Sequence, residues 1–230
     1  MNILKPNDTN RKGILIEYDA GHIKPSENKS VIREMKQMDK KDSFILYAVL
    51  QKFDTPNKNG RIYGERILKR ETDNYKVLIE QGRALGELNH PETSLVDLER
   101  TSHRITECWW DGKILMGKVE LLTSEAFRST GQITCMGDIA ANLLLHGVTL
   151  GISSRGVGSL KKSGEYNEVQ DDFEMVCFDL VSSPSTPGAY LFQDKGDREK
   201  YAESTEKEES IITDNKTLNL MNKLNSFLGK

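Results

Sequence analysis

Val148 to Leu160, VTLGISSRGVGSL, is a short β-like run in which two serines and an arginine interrupt the apolar residues before glycines take over. If 148–154 is a strand, successive side chains point to opposite faces. Leu150, Ile152 and Ser154 then share one face, and Thr149, Gly151, Ser153 and Arg155 share the other. Ser153 is the serine turned away from the apolar side. A serine on a rigid strand, with small Gly151 before it and a flexible Arg155-Gly156 step after it, can present its hydroxyl beside backbone N–H groups able to receive an oxyanion. The competing reading is a plain Gly/Ser turn at a strand end, because both residues gather in turns for local reasons. The choice depends on what the rest of the chain supplies.

Downstream, Phe173 to Val181 reads as a second apolar strand with an acid inside it. Asp179 sits among Met175, Val176, Cys177, Phe178, Leu180 and Val181. An ionised carboxylate in such surroundings costs several kcal/mol unless it is paired or hydrogen-bonded. Asp179 therefore needs a partner, unless it ends the strand and is wet. Upstream, Asp138 is expected to cap a helix that runs to His146 and closes on Gly147. Earlier still, Ser102–Trp110 and Ile114–Leu121 read as strands joined by a hairpin turn at Asp111-Gly112. Residues 65–81 show helical spacing of apolar residues, with Gly82 placed to end the helix. Ser43 to Phe53 reads as a strand that begins the core, followed by the turn-rich DTPNKNGRIYG.

The chain has four histidines. His90 stands in GELNHPETS, where the following proline keeps it out of the helical region and fixes the imidazole at a loop edge, able to act as a base. His146 reads as a helix C-terminal residue, His103 as an ordinary strand residue, and His22 lies in a polar arm. His90 with Glu87 and Asp97 makes a poor metal set, because their spacing defines no single coordination face. The reading calls for no metal and no cofactor.

At 230 residues the chain can hold one substantial domain plus tails. Its formal net charge of −3 supplies no field that favours nucleic acid. Three dispersed cysteines form no CxxC pair, which argues against a disulfide framework and for a reducing compartment. No apolar run approaches the length that spans a bilayer, and the amino terminus has no apolar signal core. The expected organisation is a mobile arm over 1–42 with one strand at Gly13–Tyr18, a core domain over 43–195, and a charged linker with a terminal amphipathic helix over 196–230.

GRALGELNHPE around His90, the WWDG hairpin, GISSRGVGS around Ser153 and FDLVSSPSTPGA after Asp179 occur together and in order. In this they resemble the prohead core protein proteases of large tailed bacteriophages, over roughly Asn57 to Ala189. The resemblance implies a serine endopeptidase that matures the capsid by degrading its scaffold. It implies an α+β fold, a compact and mainly antiparallel β-barrel surrounded by helices, similar to the herpesvirus assembly proteases. It assigns Ser153 as nucleophile, His90 as general base and Asp179 as the group that orients the imidazole. Backbone N–H groups near Arg155 and Gly156 are the candidates for an oxyanion hole, with the Arg155 side chain bracing that loop. Ser154 stays open as an alternative nucleophile, and His103 as an alternative third member.

The same resemblance implies phage scaffold or core and capsid proteins as substrates, inside a prohead assembled in the host cytoplasm, and leaves room for self-association. No nucleic-acid or membrane partner is expected. Family substrates are cut after the glutamate of Ile/Leu-x-Glu. Such triplets end here at Glu17, Glu34, Glu80, Glu87 and Glu107, and Glu34 is the expected first site of self-cleavage. Two other classes compete: a non-enzymatic scaffold or capsid-interior protein with the same fold, and a small-ester hydrolase, which lacks the strand, elbow and helix context of such enzymes.

Overall fold

A computed structural model describes residues 13–16 and 44–192. The expected arm, linker and terminal amphipathic helix otherwise lie outside the described residues.

Nine-residue β2 (Phe44–Lys52) supplies the centre of the core, with Leu46, Ala48 and Leu50 wholly buried. It pairs antiparallel with β6 (Ile114–Leu121), and β6 pairs with β5 (Thr101–Asp111) in the expected hairpin. The last pair of that hairpin is Asp111 with Ile114, so Gly112 and Lys113 form the loop, Gly112 taking φ of 57°. Short β4 (Leu85–Glu87) and β11 (Leu191–Phe192) complete a five-stranded sheet ordered β11-β2-β6-β5-β4.

A second sheet, ordered β1-β7-β10, consists of β1 (Gly13–Ile16), β7 (Gly151–Gly158) and β10 (Glu174–Val181). The third comprises β3 (Arg61–Ile62), β8 (Leu160–Ser163) and β9 (Tyr166–Val169), in the order β3-β9-β8. Every described strand pair is antiparallel except β3 with β9. The β8–β9 hairpin is absent from the sequence reading because KKSGEYNE carries no apolar alternation.

The expected closed barrel is not formed by the described residues. The first two sheets meet through isolated bridges, Leu88 with Leu180 and Gly151 with Tyr190, rather than through a continuous ladder. The reason lies in the shortness of the joining strands. β4 has three residues before its chain turns away, and β11 has two.

The described residues include three α-helices. α1 (Glu65–Glu80) buries Ile67, Leu68, Thr72 and Tyr75, and Gly82, with φ of 68°, lies just beyond its end as expected. α2 (Glu125–Thr130) is capped by Ser124 Oγ, which accepts from the N–H of Phe127 at 3.0 Å. α3 (Met136–Leu145) corrects the capping expectation: Asp138 lies within its first turn and reaches back to accept from the N–H of Cys135 at 3.2 Å. At the other end His146 Nδ1 donates to the carbonyl of Asn142 at 2.8 Å, so that histidine serves the helix terminus.

The strand that decides the reading starts three residues later than expected and runs on through its glycines. Alternation of faces survives the shift, since parity depends on the strand and not on where it begins.

Candidate active site

β7 and β10 build the site between them. Their register holds Gly156 opposite Met175, and then Arg155 opposite Cys177, so Val176 is an extra residue bulging out of β10. A one-residue bulge moves every later residue to the other face. Because of it Asp179 comes opposite Ser153; an unbroken ladder would bring Phe178 there. The bulge is anchored from outside by Glu71 of α1, whose carboxylate accepts the N–H of Met175 at 2.9 Å.

Directly paired residues of an antiparallel sheet project to the same side. Ser153 and Asp179 therefore share a face with Arg155 and Cys177, and all four are buried. Ser154 points the other way. Its Oγ accepts from Gln51 Nε2 of β2 at 2.9 Å, and Gln51 Oε1 accepts in turn from Thr186 Oγ1 at 2.8 Å. The two adjacent serines are thus separated by the pleat into one beside the acid and one inside the contact between sheets.

β4 brings the histidine. It runs alongside β10, and Gly86 lets the two backbones pack closely: a Cβ there would lie 2.0 Å from the carbonyl oxygen of Phe178 and 2.4 Å from the ring of His103. Beyond β4 the N–H of Asn89 donates to the carbonyl of Leu180 at 2.8 Å, and Asn89 itself takes φ of 68°. Asn is among the few non-glycine residues that enter this left-handed region readily. The reversal there, followed by the restricted His90-Pro91 step, turns the imidazole back onto β10. His90 Nδ1 lies 2.7 Å from Asp179 Oδ2, with the two side chains 4% and 0% exposed.

The rest of the Asp179 carboxylate is also occupied. Oδ1 accepts the N–H of Glu87 at 2.9 Å and Arg155 Nη2 at 3.2 Å. Arg155 Nε lies 2.9 Å from Oδ2, but its N–H is not aimed there, so that contact is coulombic rather than a hydrogen bond. Burial opposes ionisation of Asp179. The His90 hydrogen bond and charge, the Arg155 guanidinium and the Glu87 N–H outweigh it and hold the carboxyl below its ordinary value. Burial, and then the charge of Asp179, push the Cys177 thiol well up, which keeps it neutral.

Arg155 ties the site together. Nη2 donates to Glu87 Oε1 at 2.8 Å, and Nη1 donates to the carbonyls of Thr93 at 2.8 Å and Leu95 at 3.1 Å. It thereby clamps the loop that follows His90 onto the sheet. Glu87 is wholly buried, and its Oε1 also accepts the N–H of Asp97 at 3.0 Å. Arg100 Nε stands 3.3 Å from the other oxygen, Oε2. Two buried acids and two arginines thus balance, which is the condition for keeping charge out of water at tolerable cost.

Comparison with known proteins gives the family. The sequence matches the family described as prohead core protein serine protease over residues 17–199. The chain belongs to that family. This protease is 33% identical over 161 residues to the prohead core protein protease of Enterobacteria phage T4, covering 68% of this chain and 71% of the relative. Its fold is similar to the solved structure of the bacteriophage T4 capsid assembly protease. The TM-score is 0.61 at 25% identity, with 76% of this chain and all of the T4 chain covered.

Two expectations for the protease change with the fold. Arg155 and Gly156 are not in a loop: they lie within β7 between β1 and β10, paired on both sides. Their N–H groups point along the sheet to neighbouring strands rather than into an open site, and the Arg155 side chain serves the Asp179–Glu87 network. His103, the alternative third member, has both ring nitrogens engaged elsewhere, Nδ1 with Ser102 Oγ and Nε2 with the carbonyl of Phe178, each at 3.0 Å. Desolvation lowers its pKa to about 4, against the opposing pull of Asp179 and the Phe178 carbonyl, so this imidazole is neutral and structural.

Sequence reasoning missed the site role of Glu87, which carried a usable signal: like Asp179, it is an acid in an apolar strand-like run, ALGEL. Asn89 and Arg100 carried none, because a left-handed turn and a pairing across thirteen residues appear only in the fold. Among the described residues no cluster of metal-ligating side chains occurs, and no helix is long and apolar enough to cross a membrane.

Proposed function

We propose that this protease is an endopeptidase of the Ser-His-Asp type, with Ser153 as nucleophile, His90 as general base and Asp179 as the residue that fixes the imidazole. The observation that carries this reading is the 2.7 Å contact of His90 Nδ1 with an Asp179 that pairs directly opposite Ser153. Asp179 Oδ2 accepts a hydrogen bond from Nδ1–H, which keeps the proton on Nδ1 and leaves Nε2 unprotonated and able to take the Ser153 proton as Oγ attacks the scissile carbonyl. The same proton then passes to the leaving amine. Water, activated by His90, releases the acyl group from Ser153. Arg155 and Glu87 are positioning residues: they keep Asp179 ionised and the loop after His90 in place.

The substrates in this reading are core and capsid proteins of a phage prohead, and the place of action is the prohead interior. Support comes from the family and from the T4 relatives. Self-cleavage belongs to the same proposal. Three of the five Ile/Leu-x-Glu triplets are poor targets, since an endopeptidase needs an extended, accessible segment. Glu80 ends α1, Glu87 is buried in β4, and Glu107 lies in β5, paired with Lys118 of β6. Glu17 and Glu34 lie outside the described residues, and the cut after Glu34 is expected first.

Incubation with an intact phage core protein tests the reading. Ser153→Ala is expected to abolish cleavage while Ser154→Ala retains most of it, and wild-type protein is expected to yield a fragment that begins at Met35. Wild-type protein that leaves every core and capsid protein intact would favour a scaffold role instead.

A further inference from the structure

β1 is a four-residue edge strand laid along the outer side of β7, with Gly13 opposite Gly158 and Ile16 opposite Arg155. Its direction is antiparallel, so it advances along β7 towards Ser153, which lies two ladder positions beyond Arg155. The neighbouring side chains of Ile14 and Leu15 differ in environment. Ile14 is exposed, whereas Leu15 is only 4% exposed and packs in a cluster with Phe53, Tyr63, Leu68, Val169 and Phe173. The residue opposite Leu15 is Gly156. A Cβ at Gly156 would lie 2.4 Å from the Phe173 ring, so the bare glycine lets that ring lie against the β7 backbone as one wall of the pocket.

A peptide added to a sheet edge is held by main-chain hydrogen bonds and selected by pockets that take alternate side chains. β1 shows both features on the strand that carries the nucleophile. We propose that the outer edge of β7 over 155–158 is the docking edge for an extended polypeptide substrate, and that the Phe53, Tyr63, Leu68, Val169 and Phe173 pocket takes an aliphatic side chain. In this chain β1 fills edge and pocket itself. This rests on the reading of Ser153 as the nucleophile. A strand tethered in cis acts at an effective concentration in the millimolar range, so a substrate in trans binds when β1 is displaced.

The test uses the full chain with Ile14→Cys and Val157→Cys, which are direct cross-strand partners, and a fluorescein-labelled peptide of the chain's own 13–20 sequence, GILIEYDA. Oxidation, which locks β1 onto β7, is expected to reduce both binding and cleavage of the peptide by at least about tenfold relative to the reduced form of the same protein. Both return on reduction, with no fall in thermal midpoint. An oxidised protein that binds and cuts like the reduced one overturns the proposal. If even the reduced protein cuts nothing, the protease reading fails, and peptide binding alone decides whether the edge is a docking site.

A second arm holds if the cystine does not form. In the chain, Leu15→Asp is expected to strengthen peptide binding in trans several-fold by emptying the pocket; weaker binding in step with a lower thermal midpoint overturns the idea. In the peptide, aspartate in place of its Leu is expected to weaken binding about tenfold, the scale of one lost aliphatic burial. Aspartate in place of its first Ile is expected to change little. Equal effects of the two peptide changes would remove the pocket.

Discussion

Two wholly buried aspartates, Asp138 in the corner between α2 and α3 and Asp179 on β10, solve the same electrostatic problem in opposite ways. Asp138 is wrapped by neutral local donors: the N–H and Oγ of Ser124, the N–H and Oγ1 of Thr134 and the N–H of Cys135. Burial works against its charge, yet these bonds lower its pKa to about 2. It staples two helix starts together and has no ionisable partner among those donors. Asp179 is held instead by an imidazole and a guanidinium carried on separate strands and loops, beside a serine. An acid satisfied by its own neighbourhood reads as structure. One satisfied by groups brought from 24 and 89 residues away, one of them able to move a proton, reads as chemistry.

The largest expected separation between the two regions comes from neutralising each acid in turn. Asp179→Asn is expected to lower kcat/KM by roughly 10⁴, because the imidazole loses the partner that fixes its tautomer. Asp138→Asn is expected to leave kcat/KM of folded protein unchanged while removing about 3 kcal/mol of stability, since donors in a buried cluster lose their charged acceptor. Steady-state cleavage and urea unfolding of the two variants check this. Equal kinetic losses would erase the distinction. Next in size, deleting Val176 removes the bulge and is expected to bring Phe178 opposite Ser153, eliminating cleavage. Full activity in that deletion would disprove the register argument.

The same comparison shows what was legible beforehand. Ser153 was separable from Ser154, because alternation of faces is a local property of any strand. Asp179 was legible as an acid needing a partner, by the cost of burying charge. The bulge at Val176 was not, since it exists only in the pairing of β10 with β7, and neither was the destination of Arg155, whose acceptors at Thr93 and Leu95 are set by a distant loop. For that reason Arg155 was read as bracing an oxyanion loop when it lies inside a strand. The expected closed barrel failed on a similar point. Strand content was readable, but the brevity of β4 and β11, which leaves isolated bridges where continuous pairing would be needed, was not.

A middle-sized effect concerns Glu87, which belongs to the site by position rather than by contact with substrate. Glu87→Gln leaves Arg155 with a single carboxylate and is expected to lower kcat by up to about a hundredfold, the scale of a slightly misplaced catalytic group. As a positioning effect it falls on kcat with little change in KM, and Glu87→Asp is expected to restore part of it. A loss confined to KM would point to substrate binding instead.

The last effects are on stability against pH. His103 is buried neutral with a pKa of about 4, below the roughly 6.5 of an unfolded histidine. The unfolded chain therefore binds the extra proton first. Its stability contribution is complete above about pH 6.5 and is lost as pH falls towards 4, by about 3 kcal/mol in all. Asp138 and Asp179 add a later loss: their lowered pKa values mean that stability is present above the unfolded value near 4 and disappears as pH falls through the folded ones. His103→Gln is expected to flatten the first slope alone, as read by urea unfolding between pH 7 and 4. An unchanged slope would reassign that first loss to another group.

The most direct test of the whole account is to label the protein with a fluorophosphonate and locate the adduct by peptide mass spectrometry. A single adduct on Ser153 that forms far more slowly in His90→Ala and Asp179→Asn is the predicted result. An adduct on Ser154, or labelling of Ser153 that is indifferent to both substitutions, would contradict the claim that the pleat, the bulge and the turn at Asn89 together make a serine nucleophile.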